Sequence, residues 1–228
     1  LGLRQSEALF QHVKRLPEIV ERLNALHLPS PLSAVGASTR PREVEGSYMP
    51  CFLAGESQAR VLATTMAIPF YPCSHQQGHI AAAAWSAGRM DLLDRPHLVW
   101  HLSGGTTELL HVVPDGVLVN ATCIGGTTDI SAGQLIDRTG KRLGLAFPAG
   151  KAVDTLSREA AHRDSFRVKV HDASFSFSGL ENKMNALAQQ GTSPADICWF
   201  VLASIIQGVE TATRQALEQY PGLPVLCA

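Results

Sequence analysis

Short apolar runs of strand length alternate with longer stretches of helical periodicity along the whole chain, and this alternation confines it to an α/β architecture. Ser6 is placed to cap a helix reaching about Leu26, with Leu9, Phe10, Val13, Leu16, Ile19, Val20 and Leu23 on one stripe. Pro17 is expected to bend or split it, and Pro29 and Pro31 to end it. A strand (Ala34 to Ala37), a polar loop (Ser38 to Pro50), a helix (Phe52 to Met66) and a strand (Ile68 to Pro72) follow, and a further helix begins near His75 and His79. Gly88 to Pro96 reads as a domain junction. His97 to Leu102 is a buried strand, and Glu108 to Val113 with Val117 to Thr122 form a hairpin around Pro114-Asp115-Gly116. Helices are predicted over Ile130 to Leu143, Ala152 to His162, a short stretch after Ser178, and Pro194 to Gln219, before a strand at Leu223 to Leu226.

At 228 residues and 45% apolar content the chain can bury a sizeable core. A net charge of −1 announces no basic surface for direct nucleic-acid binding beyond a local patch within the neutral total, so any RNA contact is expected to need a partner or a segment outside this sequence. Its five cysteines are scattered without a C-x-x-C pair, which argues against a disulfide framework or a cysteine zinc site and for a reducing cytoplasm. The longest apolar run, Ile197 to Ile206, is far short of the ~20 residues a membrane span needs. Both ends read as cut, Leu1 in a helix approach and Ala228 just after a strand.

Three constellations can carry chemistry. In Ser74-His75-Gln76-Gln77-Gly78-His79 the spacing of four sets both imidazoles on one helical face, where they are either two surface histidines or ligands of one metal ion. A zinc peptidase of the H-E-x-x-H type needs Glu directly after the first His, and Gln76 stands there. His101-Leu102-Ser103-Gly104-Gly105-Thr106-Thr107 is a strand opening into a turn, either an ordinary hairpin or one whose N–H groups face a phosphate. In the segment Gly125 to Asp154, Thr127, Thr128 or Asp129 can cap the helix that Gly144 ends. Asp137 on that helix is either part of a solvated face with Arg138 and Lys141 or an acceptor for a ribose diol.

These constellations, in this order and together with Phe175-Ser176-Phe177-Ser178-Gly179-Leu180, resemble the tRNA adenosine threonylcarbamoyltransferases, long called O-sialoglycoprotein endopeptidases. Gly2 to Leu9 and Ser74 to His79 look most like a divergent paralogue of some Gram-positive bacteria. The resemblance implies an actin/Hsp70-like fold of two ribonuclease-H-like lobes with nucleotide and metal between them. Here these would be a partial N-terminal lobe at residues 1–95 and a truncated C-terminal lobe with a helical insertion at residues 96–228.

By similarity, His75 and His79 match the family's metal-binding histidines, for one divalent ion, iron or zinc. His101, Leu102, Ser103, Gly104 and Gly105 match the loop contacting ATP or threonylcarbamoyl-adenylate, and Asp137, Gly150 and Asp154 match further nucleotide-contacting positions. Gln77 stands in place of the family's Glu, Thr106 of its His, Gln134 of its Glu, and Ala149 of one Gly in Tyr-Pro-Gly-Gly. The family's opening phosphate-cradling strand, and the Asn and metal-completing Asp near its end, have no counterpart in this sequence. The segment is therefore expected to be inactive alone. The implied partners are the small-molecule adenylate, tRNA reached with helper proteins, a paralogous actin-like subunit and an ATPase subunit, with no membrane. A non-catalytic nucleotide- or protein-binding module, favoured by the four substitutions, and a metallopeptidase are the competing readings. Because no general base follows His75, metal-dependent cleavage of casein is expected to be absent; cleavage abolished by His75→Ala would establish the peptidase instead.

Overall fold

The computed structural model describes residues 4–25 and 31–228. The chain forms two compact units, Leu1–Gly88 with Asp115–Asn120, and Arg89–Pro114 with Ala121–Ala228.

The first unit opens with helix α1 (Gln5–Ala25), which starts one residue before Ser6 and runs through Pro17 without interruption. Ser6 therefore lies in the first turn instead of capping it, and Pro17 does not split the helix. No residue of α1 is buried, so the carbonyl that Pro17 leaves without a donor need not be satisfied inside the protein. The stripe of Phe10, Val13, Ile19, Val20 and Leu23 stays exposed. Leu26, Pro29 and the end expected for this helix lie outside the described residues. Strand β1 (Val35–Arg40) extends three residues into the expected loop and pairs in parallel with β2 (Phe70–Ser74), with a register shift between Ser38 and Arg40. Helix α2 (Phe52–Thr65) buries Ala54, Ala59 and Ala63, whose small side chains allow close packing. After it Ala67 adopts φ 54° and the Ile68 N–H returns to the Ala63 carbonyl, which delays the start of β2 to Phe70. Helix α3 (His75–Ser86) leaves β2 directly.

A six-stranded mixed sheet, in the second unit apart from Asp115 and Leu118–Asn120, has the order β6 (Val170–His171), β7 (Ser174–Phe175), β5 (Leu118–Thr127), β4 (Thr107–Asp115), β3 (His97–Leu102), β8 (Val225–Cys227). Strand β3 (His97–Leu102) pairs antiparallel with β4 (Thr107–Asp115) and parallel with β8 (Val225–Cys227). Strand β5 (Leu118–Thr127) outruns its expected end by five residues. It pairs with β7 (Ser174–Phe175), itself antiparallel to β6 (Val170–His171). The last two, at two residues each, are too short to show a period in sequence. The helices are α4 (Ala132–Arg142), α5 (Gly150–Ser157), α6 (Ser178–Gln189) and α7 (Pro194–Gln219). Gly144, at φ 75°, follows α4 as expected. Helix α5 ends five residues before His162, and α6 is a full three turns.

Trp100 of β3 centres the core with Leu109, Leu135, Phe175, Phe177, Leu180 and Met184, against Ile197, Val201, Ile205, Ala212 and Ala216 of α7. Its indole N–H donates to Thr213 Oγ1 at 2.8 Å, fixing strand to helix. By length and composition α7 alone among the described residues matches a membrane-crossing helix. Here it is the principal core helix of this unit.

His97 is fully buried at the start of β3. Its Nδ1–H donates to the Arg95 carbonyl at 3.0 Å, while Nε2 has no hydrogen-bond partner among the described residues, so burial holds the imidazole neutral with its pKa below the ordinary value. A histidine with depressed folded pKa favours folding above the unfolded value of about 6.5 and loses that advantage as pH falls below it. Denaturant titrations should show stability declining from pH 7 towards 5, at no more than about 1.4 kcal/mol per pH unit from this group. His97→Leu should flatten that decline; an unchanged slope in the variant would show that His97 titrates normally.

Candidate functional site

In the first unit Ser74 ends β2 and caps α3: the Gln77 N–H donates to Ser74 Oγ at 3.2 Å, and the Ser74 N–H donates to Gln77 Oε1 at 2.7 Å. This reciprocal cap fixes the first turn of α3. On that turn His75 and His79 bring their Nε2 atoms to 3.0 Å, and burial together with the neighbouring His79 lowers the pKa of His75. Two neutral nitrogens that close can both reach one ion at about 2.0–2.1 Å, so the pair fits a shared metal. It supplies only two ligands, and among the described residues no group of three or more His, Cys, Asp or Glu converges on a metal position. Gln77 is buried, and its Nε2 donates to the Val119 carbonyl at 2.7 Å.

In the second unit the turn after β3 is held by its own serine. Ser103 Oγ accepts from the N–H groups of Gly105 (3.3 Å) and Thr106 (3.0 Å), and the Ser103 N–H donates to the Thr106 carbonyl. The start of α4 is built onto this turn. Ser131 caps α4 by accepting from the Gln134 N–H and donates to the Gly104 carbonyl at 2.9 Å, while the Ala132 N–H donates to Thr107 Oγ1 at 2.8 Å. The cap is thus Ser131 and not Thr127, Thr128 or Asp129. Gly133 lies so near that a Cβ there would stand 2.6 Å from Gly104 Cα. Gln134 is exposed on the first turn of α4.

Asp137, on the next turn, is half-buried, and its Oδ1 accepts from the Ala149 N–H at 2.8 Å, which ties α4 to the turn before α5. The loop His101–Gly105, Asp137 and Gly150 are therefore linked through α4. Asp154 stands one turn further along α5, exposed, with Oδ2 paired to Arg158 at 2.6 Å. Against Ala149 the buried Gly140 leaves room for the methyl: a Cβ at position 140 would lie 2.1 Å from that of Ala149.

Sequence reasoning missed the task of Asp129. Its carboxylate accepts from the backbone N–H groups of Ile130, Phe177 and Ser178 and from the hydroxyls of Ser176 and Ser178. Those bonds hold it well below the usual carboxylate range. It thereby caps α6 from 49 residues away. The available signal was a helix start at Ser178 preceded by Phe177, which offers no capping side chain.

A protein-family model described as tRNA N6-adenosine threonylcarbamoyltransferase, TsaD, matches residues 5–228. The chain belongs to this family. The mixed α/β structure accords with the actin/Hsp70-like, ribonuclease-H-like fold of TsaD proteins. Among curated relatives of that name, the Enterococcus faecalis protein is 31% identical over 238 residues, covering 100% of this chain and 65% of its own length. A Thermus thermophilus relative is 35% identical over 214 residues, covering 91% and 62%. The Streptococcus suis relative is 31% identical over 231 residues, covering 96% and 65%. The chain thus spans slightly less than two thirds of the length of these TsaD relatives.

The Gly140–Ala149 contact predicts a change of sign. Gly140→Ala alone should destabilise, because overpacking of about 1–3 kcal/mol exceeds the helix propensity gained, up to ~1 kcal/mol. In an Ala149→Gly background the same substitution should stabilise. Equal effects in both backgrounds, measured by urea unfolding, would show that the two residues do not share one volume.

Proposed function

We propose that the full-length protein transfers threonylcarbamoyl from its adenylate to the N6 amine of a tRNA adenosine. The observation that carries this reading is the continuous construction from the Ser103–Thr107 turn through α4 to Ala149 and Gly150, in a chain matching the TsaD family over residues 5–228. Gly104 and Gly105 are exposed and carry no Cβ, which suits close approach by a ligand, although the Gly105 and Thr106 N–H groups are given to Ser103 Oγ. Asp137 commits Oδ1 to Ala149 and offers Oδ2 to a ribose hydroxyl. Gly150 and Asp154 extend the same surface along α5. In the first unit His75 and His79 would hold the divalent ion, iron or zinc, and when bound it supplies Lewis-acid polarisation of a carbonyl. The low basicity of His75 keeps its nitrogen available as a ligand near neutral pH.

The non-catalytic reading rested on four substitutions, and two are absorbed structurally. Gly140 accommodates Ala149, and Gln77 completes the cap of α3. They do not count as signs of a lost site. We assign residues 1–95 and 96–228 to the two ribonuclease-H-like lobes, with Asp115–Asn120 belonging to the first compact unit. The unburied apolar stripe of α1 suits a paralogous actin-like subunit, and the net charge of −1 suits tRNA delivery through partners, an ATPase subunit among them, in the cytoplasm.

Full-length protein with its partner proteins should load threonylcarbamoyl onto unmodified tRNA; absence of transfer under conditions where an E. faecalis-type relative is active would overturn the assignment. Asp137→Ala should weaken ATP or adenylate binding about ten- to a hundredfold, the equivalent of a charged hydrogen bond of roughly 1.5–3 kcal/mol, and should also lower stability by freeing the Ala149 N–H. Asp137→Asn retains an acceptor for that N–H and should keep the melting temperature while losing part of the affinity. Unchanged affinity in both variants would remove Asp137 from the nucleotide site.

A further inference from the structure

Gln77 occupies the turn that carries His75 and His79, and three hydrogen bonds meet on it. Its N–H donates to Ser74 Oγ, its Oε1 accepts from the Ser74 N–H, and its Nε2 donates to the Val119 carbonyl. These partners fix the orientation of the amide, since only oxygen can meet the Ser74 N–H and only nitrogen can meet a carbonyl. Gln77 is 6% exposed, Ser74 0% and Val119 5%, so water cannot readily replace a lost partner. The Val119 contact joins α3 to Asp115–Asn120, the hairpin segment that belongs to the first unit.

The residue type matters because a carboxylate only accepts. Glu at this position would still accept from the Ser74 N–H and complete the cap. It would, however, set an anionic oxygen where Nε2 now stands, 2.7 Å from the Val119 carbonyl oxygen, with no proton between them. The neutral amide performs both tasks at once, which an ionised carboxylate cannot. From this geometry we infer that Gln77 is a positioning residue: an amide-specific clamp that locks the hairpin segment Asp115–Asn120 to the first turn of α3 and thereby sets the approach of His75 to His79. The inference rests on the reading of those histidines as a functional pair, and it assigns the hairpin tip the task of supporting them.

With its carboxyl ionised, Gln77→Glu separates the two tasks, because it preserves the cap and removes only the donor to Val119; Gln77→Met removes both without adding charge. In the full chain, amide exchange at Leu118–Asn120 should accelerate about tenfold in Gln77→Glu, the equivalent of one hydrogen bond, while the Ser74 amide keeps its protection. The ring 15N–1H correlations of His75 and His79 should shift or broaden, and Zn2+ alone should bind several-fold more weakly by calorimetry. In Gln77→Met the Ser74 amide should lose protection as well. Should Gln77→Glu fail to fold, Gln77→Met tests the same Val119 bond through the same exchange and ring signals. Wild-type exchange at Leu118–Asn120 in both variants would overturn the clamp, and accelerated exchange with unaltered histidine spectra and Zn2+ affinity would overturn its positioning role. None of these readouts needs tRNA, nucleotide or turnover, so failure of the transferase reading would leave them informative.

Discussion

Backbone meets backbone where α4 begins. Gly133 sits against the Gly104 Cα and the Ser103 carbonyl so closely that any side chain at position 133 would displace the turn after β3. Ser131 and Thr107 close the same junction with hydrogen bonds to the Gly104 carbonyl and the Ala132 N–H. The direction of α4 is fixed by this contact, and with it the place of Asp137 and, through the Asp137–Ala149 bond, of the turn that begins α5. A loop built this way gains precision because two rigid elements support it at its ends.

The departures from the family pattern look different once their neighbours are known. Ala149 alone suggests a crowded glycine position, yet Gly140 lies opposite and gives up the volume its methyl takes. Gln77 alone suggests a lost carboxylate, yet its amide makes bonds of both polarities inside a buried cap. These two of the four substitutions are matched locally, as expected when a packed interior tolerates change only where total volume and hydrogen bonding are conserved.

Polar groups tie several elements of the second unit together. Asp129 gathers the N–H and hydroxyl groups of Ser176, Phe177 and Ser178, substituting for a local cap on α6. Arg138 on α4 pairs with Glu181 on α6 at 2.9 Å, an exposed bridge worth little in energy. Cys198, packed with Ala149 and Val153, has its thiol pushed up to about 11 by burial, and serves as a small apolar side chain. The apolar stripe of α1 is the contrast, a face of core-like composition that nothing in the described chain buries.

Periodicity alone determined the α/β class, the full extent of α7 and β3, the start of α2 and the hairpin of β4 and β5, because those elements repeat their apolar positions often enough to be counted. The His75–His79 spacing was legible for the same reason: a helix places residues four apart on one face whatever surrounds it. What the sequence could not reveal depends on residues remote in the chain. Asp129 was readable as a helix cap, but which helix it caps depended on a turn 49 residues away. The strands β6 and β7 are too short to carry a pattern and exist because β5 offers an edge to pair with. Whether Asp137 faced solvent or the interior, and whether Gln77 and Ala149 were losses or fitted parts, was decided only when tertiary packing supplied a donor, a carbonyl and a missing methyl, since hydrogen bonds and excluded volume are properties of neighbours in space.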